Sequence, residues 1–145
     1  MTDISSSSNK FLFYVAQSGL LGTNLPTHKS LFQVDKKSYQ MSSSKLIVPL
    51  VFENEDVIVK KTYEFNEGSY LIKTIFEIQN KTNNILKPSA YYQFVHDGKS
   101  GEATAMMPTF TGPAFFTDKD KFDKLDFSDV NKKSFSKITD SGWIG

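Results

Sequence analysis

The chain has 145 residues, of which 39% are hydrophobic and 14% aromatic, and this is enough for the core of one globular domain or a large part of one. All 17 basic residues are lysines, and 16 acidic residues nearly balance them. This composition argues against nucleic acid or phosphate as a partner, because arginine supplies most bidentate phosphate contacts. The absence of cysteine excludes disulfides, cysteine-zinc sites and thiol nucleophiles.

The first nine residues are polar and rich in serine, and they lack the basic start and apolar stretch of a secretory signal peptide. We interpret residues 1–9 as a flexible lead-in and residues 10–145 as part of a β-sandwich domain. The apolar ending at residues 143–145 indicates a fragment of a larger protein. The longest apolar run, residues 46–52, is far shorter than the roughly 20 residues of a membrane helix, so no segment is predicted to span a bilayer.

Residues 11–16 form a continuous apolar run of strand-forming residues, which predicts a strand covered on both faces. Two glycines within residues 17–24 predict the end of that strand. His28 follows in a loop, without another histidine, a cysteine or a carboxylate near it in the sequence. We therefore interpret His28 as a solvated loop residue rather than as a ligand or a base.

Two further strands are predicted before the middle of the chain. Residues 31–34 are a possible short strand, and residues 46–52 are a longer one that contains Pro49. Proline removes a hydrogen-bond donor and is tolerated at the edge of a sheet or beside a bulge. The strand at residues 46–52 is therefore expected at such a position.

Residues 57–79 are the most regular part of the sequence and predict a β-hairpin. Apolar or aromatic residues occupy the odd positions of the first half, with Lys61 as the one exception. Together with Thr74 they also occupy the even positions of the second half, beginning at Tyr70. Residues 66–69, which include a glycine, connect the two halves. This alternation around a short connection is the hairpin signature. A hairpin cannot bury its apolar face alone, so the rest of the chain must supply a second layer.

One more strand is predicted at residues 85–95, with Pro88 near its start. Strands that recur roughly every 10 to 15 residues, with turn residues between them, predict an all-β antiparallel sandwich. His96 and Asp97 are the one place where a catalytic dyad could be imagined. Neighbouring residues on a strand point to opposite faces, and Gly98 begins a loop, so we interpret the pair as non-catalytic.

Residues 109–129 combine aromatic residues with alternating aspartates and lysines. Thr117, followed three residues later by Asp120, predicts the capped start of a short helix. Phe122 and Leu125 would lie on one side of it. Asp120 and Lys124 would form an ion pair along that helix.

Counted from Asp118 as a calcium loop, the sixth position holds Asp123 instead of glycine and the fifth holds Phe122, and lysines lie between the aspartates. The aspartates therefore predict a solvated, mixed-charge face without a metal. They occupy positions 118, 120, 123, 126 and 129.

Four segments resemble, in order and spacing from Lys10 onward, the large periplasmic domain of the YidC membrane-protein insertases of Gram-negative bacteria. They are residues 13–20 (FYVAQSGL), 60–63 with 68–70 (KKTY and GSY), 110–117 with 121–122 (FTGPAFFT and KF) and 142–144 (GWI). The resemblance implies an antiparallel β-supersandwich similar to galactose mutarotases, with at most one short helix. It also implies a non-catalytic domain without cofactor or metal, on the periplasmic face of the inner membrane within a multi-pass membrane protein.

The same resemblance implies partners and a role. The partners would be components of the Sec translocon and membrane-protein clients, and the role would be to help inner-membrane proteins insert and fold. For the contact surface we predict aromatic and lysine residues of the stretch Gly112 to Phe127. They are Phe115, Phe116, Lys121, Phe122 and Lys124.

A carbohydrate-binding or mutarotase-like domain is the alternative hypothesis. Trp143, with Tyr91 or Tyr92, would then stack on a sugar ring. A mutarotase needs a carboxylate base with histidines around the sugar, but His28 and His96 lie on separate predicted loops. A single tryptophan is more often a core or interface residue, so the interaction domain remains the preferred hypothesis.

Overall fold

The computed structural model describes residues 14–98, 110–130, 132 and 134–145. Eight strands and one helix occur within these residues. In chain order they are β1 (Tyr14–Leu21), β2 (Lys45–Glu53), β3 (Val57–Asn66), β4 (Ile72–Asn80), β5 (Ser89–His96), β6 (Ala114–Thr117), β7 (Lys121–Lys124), α1 (Phe127–Val130) and β8 (Gly142–Ile144). The predicted lead-in at residues 1–9, and residues 11–13 of the first predicted strand, lie outside the described residues.

The strands form three sheets, with the orders β1-β5, β2-β3-β4 and β7-β6-β8. Neighbours in the two three-stranded sheets are antiparallel. With one four-residue helix in the described part of the chain, the prediction of an all-β antiparallel fold with at most one short helix is confirmed. The chain divides into two compact units. We call Gln17–Gln93 the hairpin unit, and Met1–Ala16 with Phe94–Gly145 the terminal unit.

The predicted hairpin is confirmed as β3 and β4, which pair antiparallel in one continuous register. β4 begins at Ile72, however, so the prediction that it begins at Tyr70 is wrong. The hydroxyl of Ser69 accepts a hydrogen bond of 3.1 Å from the backbone N of Leu71, and this bond holds Leu71 in the turn. Tyr70 is consequently exposed in the connection between the strands.

Strand β2 carries Pro49 and lies at an edge of its sheet, as the sequence predicts. The backbone N of Asn54 donates to the O of Val57 at 3.1 Å, so the even-numbered residues of β2 are the ones that bond to β3. Odd-numbered residues, Pro49 among them, point their backbone groups outward. The missing N–H of Pro49 therefore removes no bond from the ladder.

Strand β1 continues through Gly19 to Leu21, so the prediction that it ends before residue 17 is wrong. A Cβ at Gly19 would lie 2.6 Å from Oη of Tyr91 and 2.9 Å from the backbone N of His28. The glycine is thus required for close packing within an extended strand and does not break it.

Two other predicted strands are shorter than expected. β5 begins at Ser89 rather than at residue 85, directly after Pro88, whose ring fixes φ and removes the N–H. The possible strand at residues 31–34 is reduced to a single bridge, in which Gln33 and Val51 exchange two backbone hydrogen bonds.

The core of the hairpin unit lies on the face of β3 that carries its odd-numbered residues. Four buried apolar residues form this core, and four partly buried ones pack around them. They are Leu20, Leu25, Val57 and Val59, surrounded by Phe52, Phe76, Ile78 and Leu86. Full burial of a valine or leucine side chain stabilises a fold by about 1.5–3 kcal/mol. Residues of β1 and of the loop after it therefore supply the second layer that the hairpin needs.

Lys61, the exception in the predicted alternation, lies on this apolar face and is 6% exposed. Its Nζ donates a hydrogen bond of 2.9 Å to the backbone O of Ser18 in β1. The ammonium also lies over the rings of Phe32, Tyr63 and Phe76, at 5.7, 5.0 and 5.5 Å from their centroids. A buried ammonium needs such partners because its desolvation is costly. Lys61 is therefore a member of the core.

Candidate interaction surface

The segment that was predicted to be a capped helix forms a β-hairpin, so the helix prediction is wrong. The predicted contact does exist, because the backbone N of Asp120 donates a hydrogen bond of 2.9 Å to Oγ1 of Thr117. Here it closes the turn between β6 and β7, since the same three-residue spacing suits a turn as well as a helix N-terminus. Asp120 pairs with Lys137 at 2.9 Å rather than with Lys124.

Removal of the Thr117 hydroxyl is expected to loosen this turn. Thr117 is buried, so Thr117→Val keeps the shape of the side chain but leaves the N–H of Asp120 without its acceptor. We expect a loss of about 1 kcal/mol in the free energy of unfolding. Urea denaturation followed by the fluorescence of Trp143 measures it. Thr117→Ser, which keeps the hydroxyl, is the control, and equal losses in both variants would contradict a role for the hydrogen bond.

The ion pair at Asp120 is expected to make this hairpin sensitive to acid. The pKa of Asp120 is lowered, and the main cause is the hydrogen bond from Lys137. Partial desolvation raises the pKa and opposes this effect. The positive charge of Lys137 and a hydrogen bond from Thr117 lower the pKa further. Because the folded pKa lies below the unfolded value of about 3.9, the stabilisation is complete above that value and is lost as the pH falls through the folded pKa.

We therefore expect the wild-type chain to lose more stability on acidification below about pH 4 than Asp120→Asn does. Lys137→Gln, which removes the partner, is expected to flatten the same part of the profile. Urea unfolding at a series of pH values measures the slope, and identical acid slopes in all three proteins would refute the assignment.

Three aromatic rings lie in a row across the sheet β7-β6-β8. Phe116 of β6 is directly opposite Phe122 of β7 on one side and Trp143 of β8 on the other. The Trp143 ring stacks on Phe116 at 6.5 Å with an interplanar angle of 12°, and it lies 5.9 Å from Phe122. Phe122 is 54% exposed and Trp143 is 51% exposed. One face of this sheet therefore presents aromatic rings to solvent.

Two lysines flank the row. Nζ of Lys124 lies 4.6 Å from the ring centroid of Phe110 and 5.5 Å from that of Phe122. Nζ of Lys121 lies 6.0 Å from the ring centroid of Phe116. We call this set the aromatic-lysine surface, and it comprises Phe110, Phe116, Lys121, Phe122, Lys124 and Trp143.

Four of the five residues predicted for partner contact lie on the aromatic-lysine surface. The fifth, Phe115, points to the opposite face, is 7% exposed and packs against the ring of Phe135 at 5.0 Å. Phe110 and Trp143 were not in the predicted set. The strand register places Trp143 opposite Phe116. The two residues are 27 positions apart in the sequence, so no local pattern predicts that they pair.

His28 lies in a loop, as predicted, but it is half-buried and bonded to Tyr91, so the prediction that it is solvated is wrong. Oη of Tyr91 accepts a hydrogen bond of 2.9 Å from the backbone N of His28 and lies 2.7 Å from Nδ1 of the same residue. The two rings meet edge to face at 5.9 Å. The hydroxyl of Tyr91 is therefore already engaged by the protein.

His96 is also packed by neighbouring rings. It stacks on Phe127 at 4.9 Å and meets the ring of Tyr14 at 5.9 Å. Its Nδ1 accepts a hydrogen bond of 3.0 Å from the backbone N of Gly98 and lies 3.5 Å from Oδ1 of Asp97. His96 is therefore a packed side chain, but it also approaches the carboxylate of Asp97, so the expectation that these two side chains point to opposite faces is wrong. Among the described residues there is no group of three or more side chains suited to hold a metal ion.

Comparison with known proteins identifies the family. The family model described as YidC periplasmic domain matches residues 3–145. The chain belongs to the YidC periplasmic-domain family. A membrane protein insertase YidC from Methylobacillus flagellatus is 44% identical over 137 residues, which are 92% of this chain and 25% of that protein. One from Nitrosomonas europaea is 41% identical over 139 residues, which are 90% of this chain and 23% of that protein.

Membership of the YidC periplasmic-domain family confirms the resemblance seen in the sequence. The chain spans about a quarter of the length of these curated relatives. No solved structure matches it. In the part of the chain that the structure describes, no helix has the length and hydrophobicity needed to cross a membrane.

Proposed function

We propose that this chain is a non-catalytic interaction domain on the periplasmic side of an inner-membrane insertase. Residues 1–9 would be a flexible lead-in and residues 10–145 part of the domain. Its partners would be components of the Sec translocon and the membrane-protein clients of the insertase. The domain would assist insertion and folding by holding these partners near the membrane-embedded part of the protein.

The aromatic-lysine surface is the observation that carries this proposal. Aromatic residues are enriched at the centres of protein interfaces, because they bury a large area with few rotatable bonds. Phe122 and Trp143 are each more than half exposed and lie side by side on a sheet whose register fixes them. The cations of Lys121 and Lys124 would attract acidic groups at the rim of a partner surface.

The surroundings of the histidines support an interaction role rather than catalysis. His28 is bonded to Tyr91, and His96 is packed on Phe127. An open cleft of about 380 Å³ beside β2 is lined in part by Asp35 and Pro49 and contains no histidine. His96 does lie 3.5 Å from the carboxylate of Asp97, but its ring is stacked on Phe127 and does not line this cleft.

Co-purification from membranes tests the proposal in the full-length insertase that contains this chain. Phe122→Ser and the double variant Lys121→Glu/Lys124→Glu are expected to reduce recovery of Sec subunits, quantified by mass spectrometry. Tyr70→Ser removes an exposed aromatic ring from the hairpin unit, and Lys60→Glu reverses an exposed charge there, so these two serve as matched controls. Unchanged recovery with the surface variants would overturn the assignment of this surface.

Titration with hexoses distinguishes the carbohydrate alternative. The chain has a single tryptophan, so its fluorescence reports directly on Trp143. We expect no response to hexoses. A saturable change that Trp143→Phe abolishes would favour sugar binding over protein docking.

A further inference from the structure

Strand β4 forms an unpaired edge within the described residues. It bonds to β3 on one side, and no other described strand pairs with it. The opposite edge of the same sheet differs, because Gln33 bridges β2 there. A free edge presents backbone donors and acceptors and is a template for another strand.

The hydrogen-bonding pattern shows which residues of β4 face outward. The backbone N of Lys81 donates to the O of Asp56 at 2.8 Å, one step beyond the register pair of Val57 and Asn80. Hydrogen-bonded and non-hydrogen-bonded pairs alternate in an antiparallel ladder, so the odd-numbered residues of β4 bond to β3. The even-numbered residues point their N–H and C=O groups away from β3, and they include Ile72, Thr74, Phe76 and Ile78.

We propose that β4 pairs antiparallel with the β4 of a second copy of this chain, about a twofold axis at Ile75. In this register the outward groups of Thr74 meet those of Phe76 in the second copy, and those of Ile72 meet those of Ile78. Each of these pairs can exchange two hydrogen bonds. Ile75 lies opposite its own counterpart, and Lys73 lies opposite Glu77 of the second copy.

Charge complementarity selects this register. A shift of two residues in either direction places Glu77 opposite an apolar residue, Ile75 or Leu71, and separates it from Lys73. A shift of four places Lys73 opposite Lys73, or Glu77 opposite Glu77, and like charges directly opposite one another are destabilising.

The charges within each copy extend the same pattern. Lys60 lies 3.1 Å from Glu77, and Glu64 is the register partner of Lys73. The joined sheet would therefore carry a row of alternating positive and negative side chains across four strands. In order, these are Lys60 and Glu77 of one copy and then Lys73 and Glu64 of the second copy. A network of this kind contributes more than isolated surface pairs do.

Disulfide trapping tests the proposal in a chain that has no cysteine of its own. Opposed residues of a non-hydrogen-bonded pair have Cα atoms about 4.5 Å apart, within the range of a disulfide. The Ile75→Cys variant is thus expected to form a covalent dimer under mild oxidation, reversible by reducing agent. Gln79→Cys is the control, because residue 79 lies opposite residue 71 of the second copy and the two introduced thiols would be about 27 Å apart.

Charge exchange in the Ile75→Cys background tests the register. Lys73→Glu is expected to slow dimer formation roughly tenfold, because two symmetry-related pairs become repulsive. Lys73→Glu combined with Glu77→Lys is expected to restore the rate, although repulsion within each copy, with Glu64 and Lys60, persists. Circular dichroism verifies that each variant is folded.

Three results would overturn the proposal. If Gln79→Cys forms disulfides as fast as Ile75→Cys, the dimers arise from random collision. If neither variant forms a disulfide, two copies do not pair through β4, and a strand of another protein becomes the candidate partner for this edge. Dimer formation that the charge exchange does not alter would refute the register. These outcomes are independent of the aromatic-lysine surface, which lies in the terminal unit.

Discussion

Replacement of Lys61 with glutamate is expected to unfold the hairpin unit. The ammonium of Lys61 donates to the carbonyl of Ser18 and lies over three ring faces, all of which carry partial negative charge toward it. A carboxylate in the same place would face the same groups without any donor. An uncompensated buried charge costs about 3–5 kcal/mol, which is much of the 5–15 kcal/mol that stabilises a typical domain. Urea denaturation followed by circular dichroism measures the loss.

Lys60 provides the matched control, because it is the preceding residue of the same strand and points to the opposite face. Its side chain is 49% exposed and pairs with Glu77. Lys60→Glu is therefore expected to cost less than about 1 kcal/mol. Lys61→Met, which keeps the length of the side chain but not the charge, is expected to cost about 1–2 kcal/mol through the lost hydrogen bond to Ser18. Equal effects of glutamate at positions 60 and 61 would contradict the burial of Lys61.

The same two lysines show how far sequence pattern predicts this hairpin. Alternation of period two predicted both strands, because each strand has one apolar and one polar face, and this is a local property. The pattern does not account for Lys61, because the groups that contact its ammonium are distant in sequence. Ser18 is 43 positions away, and no pattern within the hairpin indicates that its carbonyl will be there.

The incorrect predictions at Gly19 and His28 have a similar cause. Gly19 looked like a strand breaker, whereas it leaves room for a tyrosine hydroxyl contributed by Tyr91, 72 positions later. His28 looked solvated because its partner is that same Tyr91. At both positions a contact with a residue that is distant in sequence decides the local structure. Local propensity cannot predict such a contact.

The error at Thr117 has a different origin. The contact between Thr117 and Asp120 was predicted correctly, but it occurs in two kinds of local structure, a helix start and a hairpin turn. The register then decides between them, since Phe116 pairs with Phe122 and with Trp143. Composition therefore indicates a contact segment rich in aromatic residues and lysine. Only the strand pairing shows that Phe122 lies on the exposed face and Phe115 on the buried one.

Replacement of Gly142 with alanine is expected to detach β8 and dismantle the aromatic-lysine surface. A Cβ at Gly142 would lie 2.3 Å from the backbone O of Phe116, an atom that cannot rotate away. Strand β8 has three residues, so it has few hydrogen bonds with which to resist displacement. We expect a loss of about 3 kcal/mol in the stability of this sheet and a red shift of Trp143 emission, as the ring leaves Phe116 and Phe122.

Gly145→Ala is the matched control at the other end of β8. The nearest atom to a Cβ there is Cζ3 of Trp143 at 3.9 Å, an ordinary contact, and the two backbone hydrogen bonds of 2.8 Å with Ala114 remain possible. If Gly142→Ala keeps the native Trp143 emission, the close packing of β8 on β6 is refuted. If the emission shifts while co-purification of Sec subunits persists, the surface exists but is not where the partner binds, because docking through Trp143 requires β8 to stay paired with β6.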